Sequence, residues 1–173
     1  RGAIDINGTL KNKSNSLLLT GNSNIIGGKL DFNLKNDDLT ASLKDAQIKQ
    51  LTHMLYYPET FDSKTALDLN YNLIMKKGKL SGNLLNGHFL PNDFSALLNQ
   101  FAKFDLTREV YETVSINSDI NNMVLNTVIN MKSKNTTIDV TNSTLDLEKS
   151  TIDAKIAAKI KTTEFGVNVN GTT

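Results

Sequence analysis

The sequence contains no cysteine, no tryptophan and only two histidines among 173 residues. Without cysteine the chain can form neither a disulfide nor a thiolate metal site. No apolar stretch reaches 18 residues, so the sequence predicts no membrane-spanning helix, and no signal-peptide core is present. The formal net charge is +1, from 19 basic and 18 acidic residues. No basic stripe is available to release counterions, which argues against nucleic acid as a partner.

The residues that usually carry chemistry are scattered. His53 and His88 lack the spacing of a zinc site, and Asp31 with 37–38 lacks that of a calcium loop. Gly27-Gly28 lacks the third glycine of a nucleotide-binding loop, and no serine lies in a nucleophile elbow. We therefore predict that the chain is not an enzyme and holds no cofactor and no metal.

What the sequence does contain is alternation of apolar and polar residues. The clearest examples are residues 152–160 and 165–169, and the same pattern occurs at 3–10, 29–34, 66–75, 136–140 and 144–147. Period-2 alternation predicts strands with one apolar and one polar face. Turn signals recur every eight to twelve residues, including Gly21-Asn22, residues 76–79 and Asn142-Ser143, which is typical of antiparallel β proteins.

Two segments have helical spacing instead. The first follows Asp45, a candidate N-cap, and ends at Tyr57 because Pro58 disfavours the α conformation in the residue before it. Its apolar positions are Ile48, Leu51, Met54 and Leu55.

The second helix opens at residues 91–93, where Asn92 or Asp93 can cap it. Glu109 and Glu112, farther along, are interpreted as helix-surface charges. The apolar stripe predicted to pack this helix on the sheet comprises Phe94, Leu97, Leu98, Phe101 and Ala102.

The fold class predicted is mainly β: a curved, largely antiparallel sheet resembling a β-taco, with an open groove and two short amphipathic helices. Residues 1–173 form a single module, with a loose subdivision near 60–66. The apolar faces could be covered in a sandwich, in a closed barrel, or in one open sheet that folds over as a trough. Alanines at positions 154 and 158 leave space that a close-packed sandwich normally fills.

An open trough suits acyl chains, because each buried CH₂ contributes about 0.8 kcal/mol. We expect nine side chains to line it. They are Leu67, Leu69, Tyr71, Leu73, Ile152, Ile156, Ile160, Val167 and Val169.

Residues 66–165 resemble the C-terminal region of AsmA-like and TamB-like proteins. The Ser81-Gly-Asn-Leu strand leads into an amphipathic helix, and residues 144–153, Thr-Leu-Asp-Leu-Glu-Lys-Ser-Thr-Ile-Asp, match a degenerate strand motif of that family. The chain departs from the family at Asn142-Ser143, where a glycine is common. The resemblance implies a periplasmic protein anchored in the bacterial inner membrane by an N-terminal helix and involved in moving phospholipid toward the outer membrane.

The function expected is a non-enzymatic, lipid-shielding module that binds acyl chains in an apolar β-groove for phospholipid transfer between inner and outer membranes. The anchor, and contact with an outer-membrane partner, would belong to flanking chain. The alternative is a closed β-sandwich that acts as an adhesin or scaffold without a lipid ligand. Carbohydrate binding is a third reading, weakened by the absence of tryptophan.

Overall fold

The computed structural model describes residues 6–13, 16–54 and 59–172. These residues form one open antiparallel sheet of eleven strands and two short α-helices, with 69% of the residues in strands. The strands are β1 Asn7–Lys13, β2 Ser16–Ile25, β3 Gly28–Lys35, β4 Asp38–Gln47, β5 Phe61–Asn72, β6 Lys77–Phe89, β7 Tyr111–Asn121, β8 Val124–Lys132, β9 Thr136–Asp146, β10 Thr151–Ile160 and β11 Thr163–Thr172. The helices are α1 Ile48–Met54, α2 Asp93–Ala102 and the 3₁₀ turn Leu106–Arg108.

The sheet is a meander in which the spatial order of the strands is their order in the sequence. The predicted fold class, a largely antiparallel open sheet with two short helices, is therefore confirmed. Strand β5 pairs with both β4 and β6. The sheet thus runs without a break across residues 60–66, where the sequence suggested a subdivision.

Three β-bulges interrupt the regular register. They lie at Asp45 in β4, Asn86 in β6 and Asn142 in β9, and each of these residues has a positive φ of 51–56°. Asn and Asp tolerate this left-handed conformation better than other residues with a side chain. A bulge bends its strand and increases the local twist, so the three together help to curve the sheet.

Several local predictions were wrong, and those at Asp45 and Asn142 were wrong because bulges use the same residue types as turns and helix caps. Asn142-Ser143 lies within β9 as a bulge and Gly21-Asn22 lies inside β2, so neither is a turn. Asp45 is a bulge residue and does not cap α1. Strand β5 ends at Asn72, which places Leu73 in the following turn.

The two helices follow β4 and β6, and both lie at the same end of the sheet. Helix α1 ends at Met54 among the described residues, and the predicted segment 55–57 lies outside them. Helix α2 begins as predicted: the side chain of Asn92 accepts a hydrogen bond from Ser95 N at 2.9 Å, and the Ser95 hydroxyl accepts one from Asn92 N. This reciprocal capping box stabilises the first turn.

The apolar stripe of α2 does not pack as predicted. Leu98 is buried and 3% exposed, but Leu97 is 50% and Phe101 is 73% exposed. The side chain of Phe94 lies outside the described part of the structure. Because α2 is attached through Leu98 and the following 3₁₀ turn, it covers only one end of the sheet and leaves the rest of the face uncovered.

Candidate functional site

One face of the sheet carries the apolar positions of the alternating pattern, and we call it the inner face. Residues paired directly across antiparallel strands point to the same side of a sheet. A single ladder of such pairs runs through all eleven strands, and we call it the first row. Its members are Leu10, Leu19, Leu34, Leu39, Tyr71, Gly78, Ile120, Leu125, Leu145, Ile152 and Gly171.

Two further rows run parallel to the first, each two residues farther along the strands. The second row includes Gly21, Phe32, Ala41, Leu69, Leu80, Ser118, Thr127 and Ser143, with Ala154 and Val169 beyond the β9 bulge. The third row includes Leu30, Leu43, Leu67, Gly82, Ile116, Ile129, Val140, Ile156 and Val167.

These three rows form a long apolar wall. Ten inter-strand gaps at about 4.8 Å give the first row a length of roughly 48 Å, and three rows cover roughly 14 Å along the strands. Leu39, Tyr71, Ile120, Leu125 and Ile152 are all half-buried, neither sealed nor fully exposed. Among the described residues no second sheet lies against the wall, because all eleven strands belong to one sheet.

Glycines on the inner face let bulky neighbours lie flat across the wall. A methyl group on any of four glycines would lie within 3.0 Å of a large side chain on the adjacent strand, so that side chain would have to move. The pairs are Gly21 with Phe32, Gly78 with Tyr71, Gly82 with Leu67, and Gly87 with Phe61.

The second row carries hydroxyl groups where it crosses β7, β8 and β9. The hydroxyls of Ser118 and Thr127 lie 2.8 Å apart and satisfy one another. Ser143 follows in the same row and is buried. In the second row, the wall is therefore apolar along β3 to β6 and interrupted by a short hydroxyl stripe from β7 to β9.

The predicted groove residues fall mostly on this wall. Seven of the nine lie in its three rows: Tyr71 and Ile152 in the first, Leu69 and Val169 in the second, and Leu67, Ile156 and Val167 in the third. They form two groups, on β5 and on β10–β11, which stand five strands or roughly 24 Å apart along the first row. Sequence reasoning missed the first-row residues between them, because alternation reveals a face but not the register that joins strands.

Two predicted groove residues lie elsewhere. Leu73 is 45% exposed in the β5–β6 turn, beyond the end of the wall. Ile160 is 5% exposed and belongs to the buried core, because the helical segments cover the end of the sheet where β10 finishes.

That covered end, which we call the capped end, is a dry core. Its fourth row joins Thr65, Leu84, Val114, Met131, Ile138 and Ala158, and all of these side chains are buried. Leu98 of α2 and Leu106 of the 3₁₀ turn pack on this row.

Three aromatic rings close the capped end beside the 3₁₀ turn. The ring centroids of Phe61 and Phe89 are 5.1 Å apart and those of Phe89 and Tyr111 are 5.6 Å apart, both edge to face. Tyr111 is fully buried, and this burial raises the pKa of its hydroxyl. The aromatic residues therefore serve packing at this end of the sheet.

Glu109 is not the helix-surface charge that the sequence suggested. It is buried, and its carboxylate accepts hydrogen bonds from the Ser133 hydroxyl and from Asn135 Nδ2 at 2.8 Å. Burial opposes its ionisation, but these hydrogen bonds and the nearby charge of Lys134 outweigh it and hold the pKa of Glu109 below its ordinary value. The carboxylate thus ties the segment before β7 to the β8–β9 hairpin.

The structure places the two histidines apart. His53 lies on α1 with its Nδ1 2.9 Å from Glu59 Oε1, and His88 is exposed on β6. Within residues 6–13, 16–54 and 59–172, no group of three or more His, Asp or Glu side chains is placed to hold a metal ion. In the same ranges, none of the helices has the length and apolarity needed to cross a membrane.

Comparison with known proteins returns no similar one: no family model matches the chain, no curated protein matches its sequence, and no solved structure matches its fold. The resemblance to AsmA-like proteins therefore stays a prediction that rests on the motifs in residues 66–165. The candidate site stands on its own geometry, as an uncovered apolar wall with a dry core at one end.

Proposed function

We propose that this chain is a non-enzymatic lipid-shielding module that binds acyl chains along the apolar wall of its inner face. The proposal depends on the continuity of the three rows across the sheet, over which the described residues place no second sheet. Apolar patches of this extent are rare on soluble monomers unless something binds there. A hydrocarbon chain laid along the first row gains about 0.8 kcal/mol for each CH₂ it buries.

Acyl chains suit the wall better than a rigid ligand does. The wall is long and narrow, and its side chains are mostly Leu, Ile and Val, which offer few directional contacts. Binding of this kind distinguishes poorly between chain lengths, as movement along a groove requires. The motif resemblance agrees with this role and extends the proposal to phospholipid transfer between inner and outer membranes, by a periplasmic module anchored in the inner membrane through flanking chain.

Site-specific photocrosslinking tests the proposal. A benzophenone amino acid is placed at Tyr71 or Ile152 on the wall, and at the neighbouring Asn70 or Asp153, which point to the opposite face. After incubation with phospholipid and irradiation, mass spectrometry measures the lipid adduct. We expect adducts at the two wall positions and at most background at the two outer positions.

Equal labelling on both faces, or none on either, would overturn the proposal. Absence of lipid in native mass spectra of the folded chain would instead favour the adhesin or scaffold alternative. The facing second sheet that the sandwich form of this alternative requires is not among the described residues, which form one open sheet.

A further inference from the structure

The end of the sheet opposite the helices is formed by hairpin turns that are joined to one another. Leu73 N donates to Asp37 O at 2.8 Å, Asn122 N donates to Lys76 O at 2.6 Å, and Leu147 N donates to Met123 O at 2.9 Å. These bonds connect the β3–β4, β5–β6, β7–β8 and β9–β10 turns in series. We call this connected edge the turn rim.

The turn rim exposes large apolar side chains. Ile74 is 73%, Met75 is 63% and Leu73 is 45% exposed in the β5–β6 turn, and Met123 and Leu147 are 49% and 40% exposed in the next two turns. Hairpin turns ordinarily use Gly, Asn, Asp and Ser. Because the three turns are hydrogen-bonded neighbours, these five apolar side chains are exposed on adjacent turns of one edge and are not scattered singly over the surface.

The most apolar turn has a defined conformation. Asn72 Oδ1 accepts a hydrogen bond from Met75 N at 2.8 Å, and Asn72 Nδ2 donates to Asp38 Oδ1 at 2.7 Å. These bonds fix the turn from within and from the neighbouring hairpin. The fixed turn therefore keeps the side chains of Ile74 and Met75 exposed.

The two sides of this turn carry opposite charge, and the side toward β7 is positive. Lys76 and Lys77 follow Met75 directly and take part in none of the ion pairs among the described residues. Asp37 and Asp38 lie on the other side, toward β4, where they are hydrogen-bonded to Leu73 and Asn72. Farther along the rim, Lys149 pairs with Asp146 at 3.2 Å. An aliphatic tip followed by two lysines complements a bilayer with anionic head groups, since hydrocarbon takes the tip and phosphate takes the ammonium groups.

We propose that the turn rim docks on an anionic membrane surface, with Ile74 and Met75 inserted among the acyl chains. The turn continues directly into the wall, because Tyr71 and Gly78 of the first row lie just before and just after it. Docking at the rim therefore brings the first row to the lipid source. The biological purpose of this docking rests on the proposed function, but binding to a membrane can be tested independently of lipid transfer.

Vesicle flotation tests the docking. The chain is mixed with vesicles of phosphatidylcholine containing about 30% phosphatidylglycerol, or of phosphatidylcholine alone. We expect binding to the anionic vesicles and at least about tenfold weaker partitioning of the double variant I74D/M75D, since two apolar anchors are replaced by charges. The matched control is L97D/F101D, which changes two exposed apolar residues at the capped end and should bind as the unchanged chain does.

A charge-reversal pair tests the head-group contribution. K76E/K77E should lose the preference for anionic vesicles, whereas K64E/K132E, with the same change of net charge on the outer face, should keep most of it. Raising the salt concentration should weaken the binding of the unchanged chain to anionic vesicles but not that of K76E/K77E, because salt also screens the repulsion of its two glutamates.

Three results would overturn the proposal: no flotation of the unchanged chain, equal loss in I74D/M75D and L97D/F101D, or loss of self-association and not of vesicle binding in I74D/M75D. Photocrosslinking of I74D/M75D with detergent-dispersed phospholipid separates this inference from the proposed function. Persistent adducts at Tyr71 would mean that the wall binds lipid whatever the rim does.

Discussion

The capped end and the open part of the sheet are built from the same strands but have opposite characters. In β7, Val114 at the capped end is 2% exposed, whereas Ile120, six residues along the same face, is half-buried. The alternation does not change between them. What differs is the covering layer, because Leu98 and Leu106 belong to the core on the fourth row. Third-row side chains such as Ile116 pack against that core, whereas the first two rows carry no such layer among the described residues. An apolar strand face is therefore a core or a binding wall depending on elements that are distant in the sequence.

The largest expected effect comes from placing a charge in each region. Val114→Asp buries an uncompensated carboxylate in the dry core and should lower the free energy of unfolding by about 4 kcal/mol. Ile152→Asp on the wall should lower it by only about 1 kcal/mol, because water reaches the new charge, yet it should abolish acyl-chain binding. Urea unfolding measures both, and a similar destabilisation in the two variants would contradict the distinction between the regions.

A smaller effect is expected at the bulges that curve the sheet. A methyl group on Gly28 would overlap backbone atoms of Lys44 and Ala46 at the β4 bulge, where no side chain can move aside. Gly28→Ala should therefore destabilise the chain by about 2 kcal/mol. Gly166→Ala, which meets nothing within 4 Å, is the control and should stay within about 0.5 kcal/mol in thermal or urea unfolding.

The smallest effect concerns the hydrogen bonds that Glu109 accepts from Ser133 and Asn135 at the capped end. The folded pKa of Glu109 lies below its ordinary value of 4.5, so its stabilising contribution is present above that pH and is lost as the pH falls through the folded value. Glu109→Gln should cost about 1 kcal/mol at neutral pH and flatten the decline in stability below pH 4.5. Urea unfolding at several pH values measures this.

Glu112→Gln is the control for Glu109→Gln, because Glu112 is exposed and follows the same 3₁₀ turn. It should leave the pH profile unchanged. A profile altered equally by both substitutions would assign the acid sensitivity to general charge and not to the bonds from Ser133 and Asn135.

The sequence allowed the strands and their apolar faces to be predicted, but not the bulges or the contacts between distant segments. Residues 152–160 alternate because β10 has one apolar and one polar face, and this local pattern is visible in any strand of that kind. Asn142 was interpreted as a turn and is a bulge, because both structures need a residue that tolerates positive φ. Glu109 was placed on a surface, because its partners Ser133 and Asn135 lie more than twenty residues away and no local signal connects them.

By itself, the sequence determined a mainly antiparallel β chain with one apolar face, through alternation that depends only on neighbouring residues. The tertiary structure decided where that face is dry, where it is open and which turns meet along its edge. The register between strands and the packing of α2 on one end of the sheet depend on contacts between residues that are distant in the sequence. A short segment of the chain therefore carries no signal for them. Leu73, Ile152 and Ile160 had the same apolar periodicity and ended in a turn, on a wall and in a core.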